Sequence, residues 1–310
     1  MSKIDGTAKN AVRESVYIVT IASIVRLKEN NELHAMIKYF KKSFRRKVAR
    51  RVTKEYPYSI VRFELEQEGI IEFANWENPL VSPVSISQSD IDFFRKFVKE
   101  GDFIIDIGAN IGDTTVPMAI AAGKDGLTLG FDPNPFVYKI LEVNSKLNRD
   151  KSNIVPVCSA ISTEEEEFYF ISSEASFANG GISPTPESIH GKFIYPEKVK
   201  GVNLFNFLKE NHKDQLDKFS FIKIDTEGYD KEIIRSIADL IKAYKPVIIA
   251  ESFGKSPDKA KMELYELISI HGYSIFYFED FTQGTKIVEI TTAEQMCDWQ
   301  NTINIYAIPR

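Results

Sequence analysis

Apolar positions along the chain repeat in two different periods. Between Leu33 and Lys54 they fall at Leu33, Ile37, Phe40, Phe44, Val48 and Val52, steps of three or four that line one face of a helix. That stretch also holds nine Lys or Arg and no Asp or Glu, so the predicted helix is basic as well as amphipathic. Ahead of it, Val16–Val25 is apolar but only ten residues long. A bilayer span needs about 20, so a buried helix or strand is expected there. Beyond the basic helix the period falls to two. Ser59–Glu66 and Ile70–Phe73 alternate about Gln67-Glu68-Gly69, which predicts a β-hairpin. Pro79 and Pro83 then interrupt the pattern, giving an N-terminal helical and hairpin region over 1–87 and a larger domain over 88–310.

In the larger domain strands and helices alternate. Strands are predicted at Phe103–Ile107, Leu127–Phe131, Ile154–Val157, Phe219–Ile224, Val247–Ala250, Tyr273–Phe278 and Ile303–Ile308. Helices are predicted over Asp90–Lys99 and Thr114–Ala122, and from the Asn134-Pro135 cap to Leu147. Another carries Ile233, Ile234, Ile237, Leu240 and Ile241, and a last one runs from Ser256-Pro257 to His271-Gly272. This order predicts an α/β, Rossmann-like fold: a mostly parallel seven-stranded sheet with helices on both faces. One interruption is long. After an acidic turn at Glu164–Glu167 and a short extra strand at Phe168–Ile171, Ser172–His190 is rich in Ser, Gly and Pro and has no period. Such loops inside compact domains usually carry function, and a mobile lid is expected.

Composition narrows the class. The net charge of −5 over 310 residues excludes a general nucleic-acid binder, which needs a basic face. Cys158 and Cys297 stand apart with no CxxC spacing, so free thiols in a reducing cytoplasm are expected. The polar first residues carry no signal-peptide pattern, and a cytoplasmic protein is expected.

The strongest chemical signal is Asp106-Ile107-Gly108-Ala109-Asn110-Ile111-Gly112, set between a strand and a helix. Gly108 permits a tight turn and Gly112 a close helix–strand approach. A dinucleotide site wants G-x-G-x-x-G, but counting from Gly108 the later glycine positions hold Asn110 and Asp113. A carboxylate there competes with a pyrophosphate for the helix N-terminus. S-adenosylmethionine has no phosphate and carries a sulfonium and an ammonium, so it suits an acidic turn. Asp132, 20 residues after Gly112 at the end of the next strand, stands where a carboxylate accepts ribose hydroxyls. Pro133 and Asn134 follow it, and Ser159-Ala160 follows the third strand, where the adenine would lie.

Three segments, FIIDIGANIGD at Phe103–Asp113, FDPNP at Phe131–Pro135 and FIKIDTEGYD at Phe221–Asp230, resemble in order and spacing the FkbM-like family of S-adenosylmethionine-dependent methyltransferases. The likeness covers roughly residues 60–310 and departs at Asp132, where the family often has Glu. The resemblance implies methyl transfer, usually to a hydroxyl oxygen of a sugar, a glycan or glycolipid, or a natural-product scaffold. A sugar hydroxyl is a poor nucleophile and needs a base or a metal ion. Asp225, Glu227 and Glu251 follow two neighbouring strands and are candidates to touch the donor or acceptor, or to hold Mg²⁺, Mn²⁺ or Ca²⁺. Helix capping and salt bridges are the bland alternatives. His190, at the end of the expected lid, is a further candidate base, or simply a solvated loop residue. The basic helix either docks on an anionic membrane or packs on its own domain or on a second copy in a homo-oligomer. A non-catalytic scaffold and a nicotinamide oxidoreductase are the rival classes.

Overall fold

The computed structural model describes residue 34 and residues 36–188, 190–226 and 228–310. Leu33, Val16–Val25 and Glu227 lie outside the described residues. Residues 36–49 form helix α1. The hairpin follows as β1 (Tyr58–Leu65) and β2 (Gly69–Trp76), paired antiparallel. Next come α2 (Gln88–Phe94), β3 (Phe103–Ile107), α3 (Thr115–Ala122), β4 (Leu127–Phe131), α4 (Pro135–Asn144) and β5 (Ile154–Val157). Three local signals set these boundaries. The Ser87 N–H donates to Asp90 at 2.7 Å and starts α2. Asn134 accepts from the Phe136 N–H at 3.1 Å and starts α4, with Pro135 in its first turn. All five residues of β3 are buried, which is how a strand covered on both faces reads.

The main sheet has eight strands in the order β13-β12-β14-β11-β10-β3-β4-β5, where β10 is Phe219–Ile224, β11 Val247–Ser252, β12 Tyr273–Phe278, β13 Ile287–Ile290 and β14 Ile303–Pro309. The run from β5 to β11 is parallel, and β14 lies antiparallel to both β11 and β12. The Rossmann-like α/β expectation holds, but the sheet is mixed and gains β13, which pairs with β12 at the edge. This edge strand is only four residues long, with Ile287, Val288 and Glu289 exposed. The apolar run after β10 divides at Ile237 into α6 (Asp230–Ser236) and α7 (Ala238–Tyr244). Helix α8 spans Asp258–Ser269. No helix among the described residues is long and apolar enough to cross a membrane.

The stretch between β5 and β10 is not a structureless loop. It builds a second sheet in the order β6-β9-β7-β8, from Ala160–Ile161, Phe193–Val202, Glu166–Ser172 and Gly181–Ser183, followed by α5 (Leu204–Asn211). Within the expected lid, Gly181–Ser183 pairs antiparallel with Tyr169–Ile171. The boundary at residue 87 does not divide two cores either. Ile71, Phe73 and Trp76 of the hairpin share one buried cluster with Phe93, Ile104 and Met118. The Asn144 side chain ties the layers, accepting from Ala74 N–H at 2.7 Å and donating to Ile111 O at 2.7 Å.

Candidate functional site

A cavity of about 530 Å³ opens where β3, β4 and β10 end, roofed by β7, β8 and the segment between them. It lies beside the point where the strand order reverses, between β3 and β10, the usual ligand position in such sheets. Its wall includes Gly108, Asn110, Asp132, Pro133, Asn134, Ser159, Ala160, Asp225 and His190 from the sequence-derived set. Asp106, Ala109, Gly112 and Glu251 do not line it.

The turn after β3 is fastened on both sides. Gly108 and Ala109 donate to Phe131 O at 2.9 and 3.0 Å, and Asp225 N donates to Ile107 O at 3.0 Å. Gly108 has φ +78°, and a Cβ there would sit 1.9 Å from the Asp225 carbonyl oxygen. No residue with a side chain fits between those two backbones. Asn110, with φ +47°, aims its N–H at Asp132 Oδ2 at 2.9 Å. Asn134 N–H binds Asp132 Oδ1 at 2.8 Å. Each carboxylate oxygen thus carries one backbone donor and keeps a further acceptor position. Burial pushes Asp132 up to about 7, although the Asn134 and Asn110 N–H groups oppose it; the Asp106 charge adds to the rise and Lys223 counters it.

Asp106 proves to be an internal strut. It is fully buried, accepts from Thr115 Oγ1 at 2.6 Å and Thr114 Oγ1 at 3.3 Å, and pairs with Lys223 Nζ at 3.2 Å. Lys223 also lies 3.3 Å from Asp225 Oδ2, which faces the cavity. Burial works against the lysine charge, but Asp106, Asp225 and Asp113 override it and hold its pKa above the ordinary value. Sequence reasoning passed over Lys223, although a lysine inside the otherwise apolar FSFIKI strand was a signal. Asp113, Thr226 and Tyr229 on the wall, and the aromatic rings of Phe168 and Phe170 on the roof, were missed as well.

Asn134 lines the cavity wall, and the N-cap expected of it is formed. Its side chain caps α4 and donates to Phe177 O at 2.8 Å, clipping the roof to the end of β4. Phe177 then stacks on Phe136 with ring centroids 5.1 Å apart. His190 is exposed on the cavity rim. The three-carboxylate convergence expected of Asp225, Glu227 and Glu251 is not formed by the described pair. Glu251 lines a separate small hollow with Asp230 and Lys231, while Asp225 faces the main cavity beside Lys223. Among the described residues no cluster of three His, Cys, Asp or Glu is placed to hold a metal ion. Both cysteines are free; burial, and secondarily Asp132, pushes the Cys158 thiol up to about 11, so it stays protonated at neutral pH.

Residues 106–275, more than half of the chain, match the methyltransferase FkbM domain. The hexuronic acid methyltransferase AglP of Haloferax volcanii is 22% identical over 200 residues, 64% of this chain and 77% of that protein. Among solved structures, the FkbM methyltransferase of Methylobacillus flagellatus superposes with TM-score 0.42 and 14% identity over 68% of this chain. The superposed region spans only 44% of that protein. The O-methyltransferase of Bacillus cereus in complex with SAH matches with TM-score 0.40 and 12% identity, over 73% of this chain and 83% of that one.

Proposed function

Because the chain belongs to the methyltransferase FkbM domain family, we propose that it transfers a methyl group from S-adenosylmethionine to a hydroxyl oxygen of a sugar acceptor. The observation that carries this reading is the cradle at the end of β3 and β4. Gly108 leaves backbone open to the cavity, and next to it a buried Asp132 carboxylate keeps one acceptor position on each oxygen. Two such positions suit the two hydroxyls of a ribose. Asp113 and Asp225 on the same wall supply negative charge for a cationic donor. Phe131 and Val137 offer apolar surface beside Ser159 and Ala160, where a purine ring would rest.

When bound, S-adenosylmethionine supplies a methyl carbon whose bond to sulfur breaks, the electron pair leaving on a neutral thioether. The protein's part is then largely placement. Asp225, held by Lys223, would orient the acceptor hydroxyl. His190 at the rim would take its proton as the new C–O bond forms. The described residues do not fit a metal ion: a lysine ammonium stands beside Asp225, and Glu251 faces another hollow. The sugar class is supported by the relative whose acceptor is a hexuronic acid.

Calorimetric titration with S-adenosylhomocysteine and with NAD tests the donor. Binding of the first and not the second is expected. Binding of NAD alone would turn the reading to a nicotinamide enzyme, and binding of neither to a scaffold. Transfer of labelled methyl to oligosaccharides containing glucuronate or galacturonate tests the acceptor, against the same oligosaccharides lacking the uronate.

A further inference from the structure

We infer that α1 is a docking surface for an anionic lipid bilayer. Met36, Ile37, Phe40 and Phe44 are 51, 43, 62 and 68% exposed. At about 100° per residue they share one face of the helix. Ala49, fully buried, lies nine positions beyond Phe40 and so on the opposite side. The helix therefore holds to the molecule by its far end and turns its apolar stripe outward. Lys41 flanks this stripe, while Lys38, Lys42 and Arg45 lie on the sector opposite it, and all four are exposed. Lys47 falls within the stripe, where a long stem can keep its ammonium in water while its methylenes stay apolar.

Nine cations and no acid over residues 33–54, in a chain of net charge −5, make this a local device rather than a general property. Among the described residues none of the nine pairs with a carboxylate. A second copy presenting the same helix would bring like charges together. A polyanion such as nucleic acid would satisfy the cations and leave the phenylalanines in water. An anionic bilayer satisfies both, with headgroups for the cations and the acyl boundary for the stripe. The helix is also wired to the cavity roof: Ala175 N–H donates to Arg50 O at 3.3 Å, two residues before Phe177, which Asn134 clips to β4. Docking through α1 thus holds the roof near the headgroups. Under the methyl-transfer reading this suits a lipid-linked acceptor, whereas the docking itself does not depend on that reading.

The test is cosedimentation of the full chain with vesicles of phosphatidylglycerol and phosphatidylcholine in equal parts, and with phosphatidylcholine alone. Binding to the first set only is expected, weakened at least about tenfold when salt is raised to roughly 0.5 M. The variant Phe40→Asp/Phe44→Asp is expected to lose at least about tenfold in vesicle affinity, because its stripe no longer enters the acyl boundary. Its thermal midpoint and its titration with S-adenosylhomocysteine should match those of the unaltered chain. Equal binding to both vesicle types, or to neither, overturns the proposal. It also falls if the variant binds vesicles unchanged while its thermal midpoint drops, since the stripe then packs against the chain itself. Sedimentation velocity showing a dimer that the two substitutions dissociate, without vesicle binding, assigns the surface to a second copy instead.

Discussion

Asp132 is shaped by its surroundings more than by its own chemistry. Its folded pKa of about 7 lies above the ordinary 3.8, chiefly through burial. The fold therefore favours the protonated form. That contribution to stability is complete below about pH 3.8 and is lost as pH rises through 7. Asp132→Asn, which carries no charge, should gain thermal stability relative to the unaltered chain as pH goes from about 5 to about 8. Donor binding runs the other way, because hydroxyls donate best to the ionised carboxylate. Affinity for S-adenosylhomocysteine should fall below about pH 7, by up to roughly tenfold per unit; a flat profile across that window would remove Asp132 from the ribose. Lys223 is the complementary case. Lys223→Met leaves the buried Asp106 carboxylate without its ion pair, and urea denaturation should show a loss of about 3–5 kcal/mol. An unchanged midpoint would mean that the two threonine hydroxyls suffice for Asp106. The lysine was visible in FSFIKI as a charge in an apolar strand. That it meets Asp106, over a hundred residues away, was not, because that contact exists only once β10 lies beside β3.

At the scale of elements, the turn after β3 works by backbone packing. Gly108→Ala places a methyl onto the Asp225 carbonyl oxygen and forces a left-handed φ on an alanine. The turn must separate from β10, so S-adenosylhomocysteine should bind at least about tenfold more weakly, with a lower thermal midpoint. Wild-type affinity would place the donor elsewhere. The ends of β10 and β11 make a second case. Neighbouring strands suggested converging carboxylates, yet Asp225 and Glu251 open into different hollows. Turnover is accordingly expected to continue in EDTA, and loss of activity restored by Mg²⁺ or Mn²⁺ would restore the metal reading. Elements covered on both faces, such as β3 and β10, were legible because burial leaves continuous apolar runs. The strand β9 was not. It carries Pro196 and three exposed charged residues, Glu197, Lys198 and Lys200, and only pairing with β7 and β6 makes it a strand.

At the scale of the whole molecule, the hairpin and the larger domain are expected to unfold together, because they share a buried cluster. The hairpin contributes Ile71, Phe73, Ala74 and Trp76 to the same buried cluster as α2, α3 and β3. Shared cores unfold together. In a Trp299→Phe background, fluorescence of the remaining Trp76 should report the same denaturation midpoint as far-UV circular dichroism. An earlier Trp76 transition would mean that the hairpin is an independent unit. The apparent boundary at Pro79 and Pro83 is instead a bend, across which Asn75 donates to Val84 O at 3.0 Å and accepts from its N–H at 2.6 Å.

The sequence alone determined the α/β class, the glycine turn and the family, because these depend on local order: periodicity, capping residues and three short motifs in fixed succession. It also marked α1 as basic and amphipathic. Tertiary structure decided what each acidic residue faces. Asp106 turned inward to Lys223, Asp132 and Asp225 opened to the cavity, and Glu251 went to another hollow. It also decided that the Ser- and Gly-rich segment folds into a roof and that the stripe on α1 stays exposed. Side-chain direction at a strand end, and the partner of a face, follow from which elements lie alongside, and those neighbours come from distant parts of the chain.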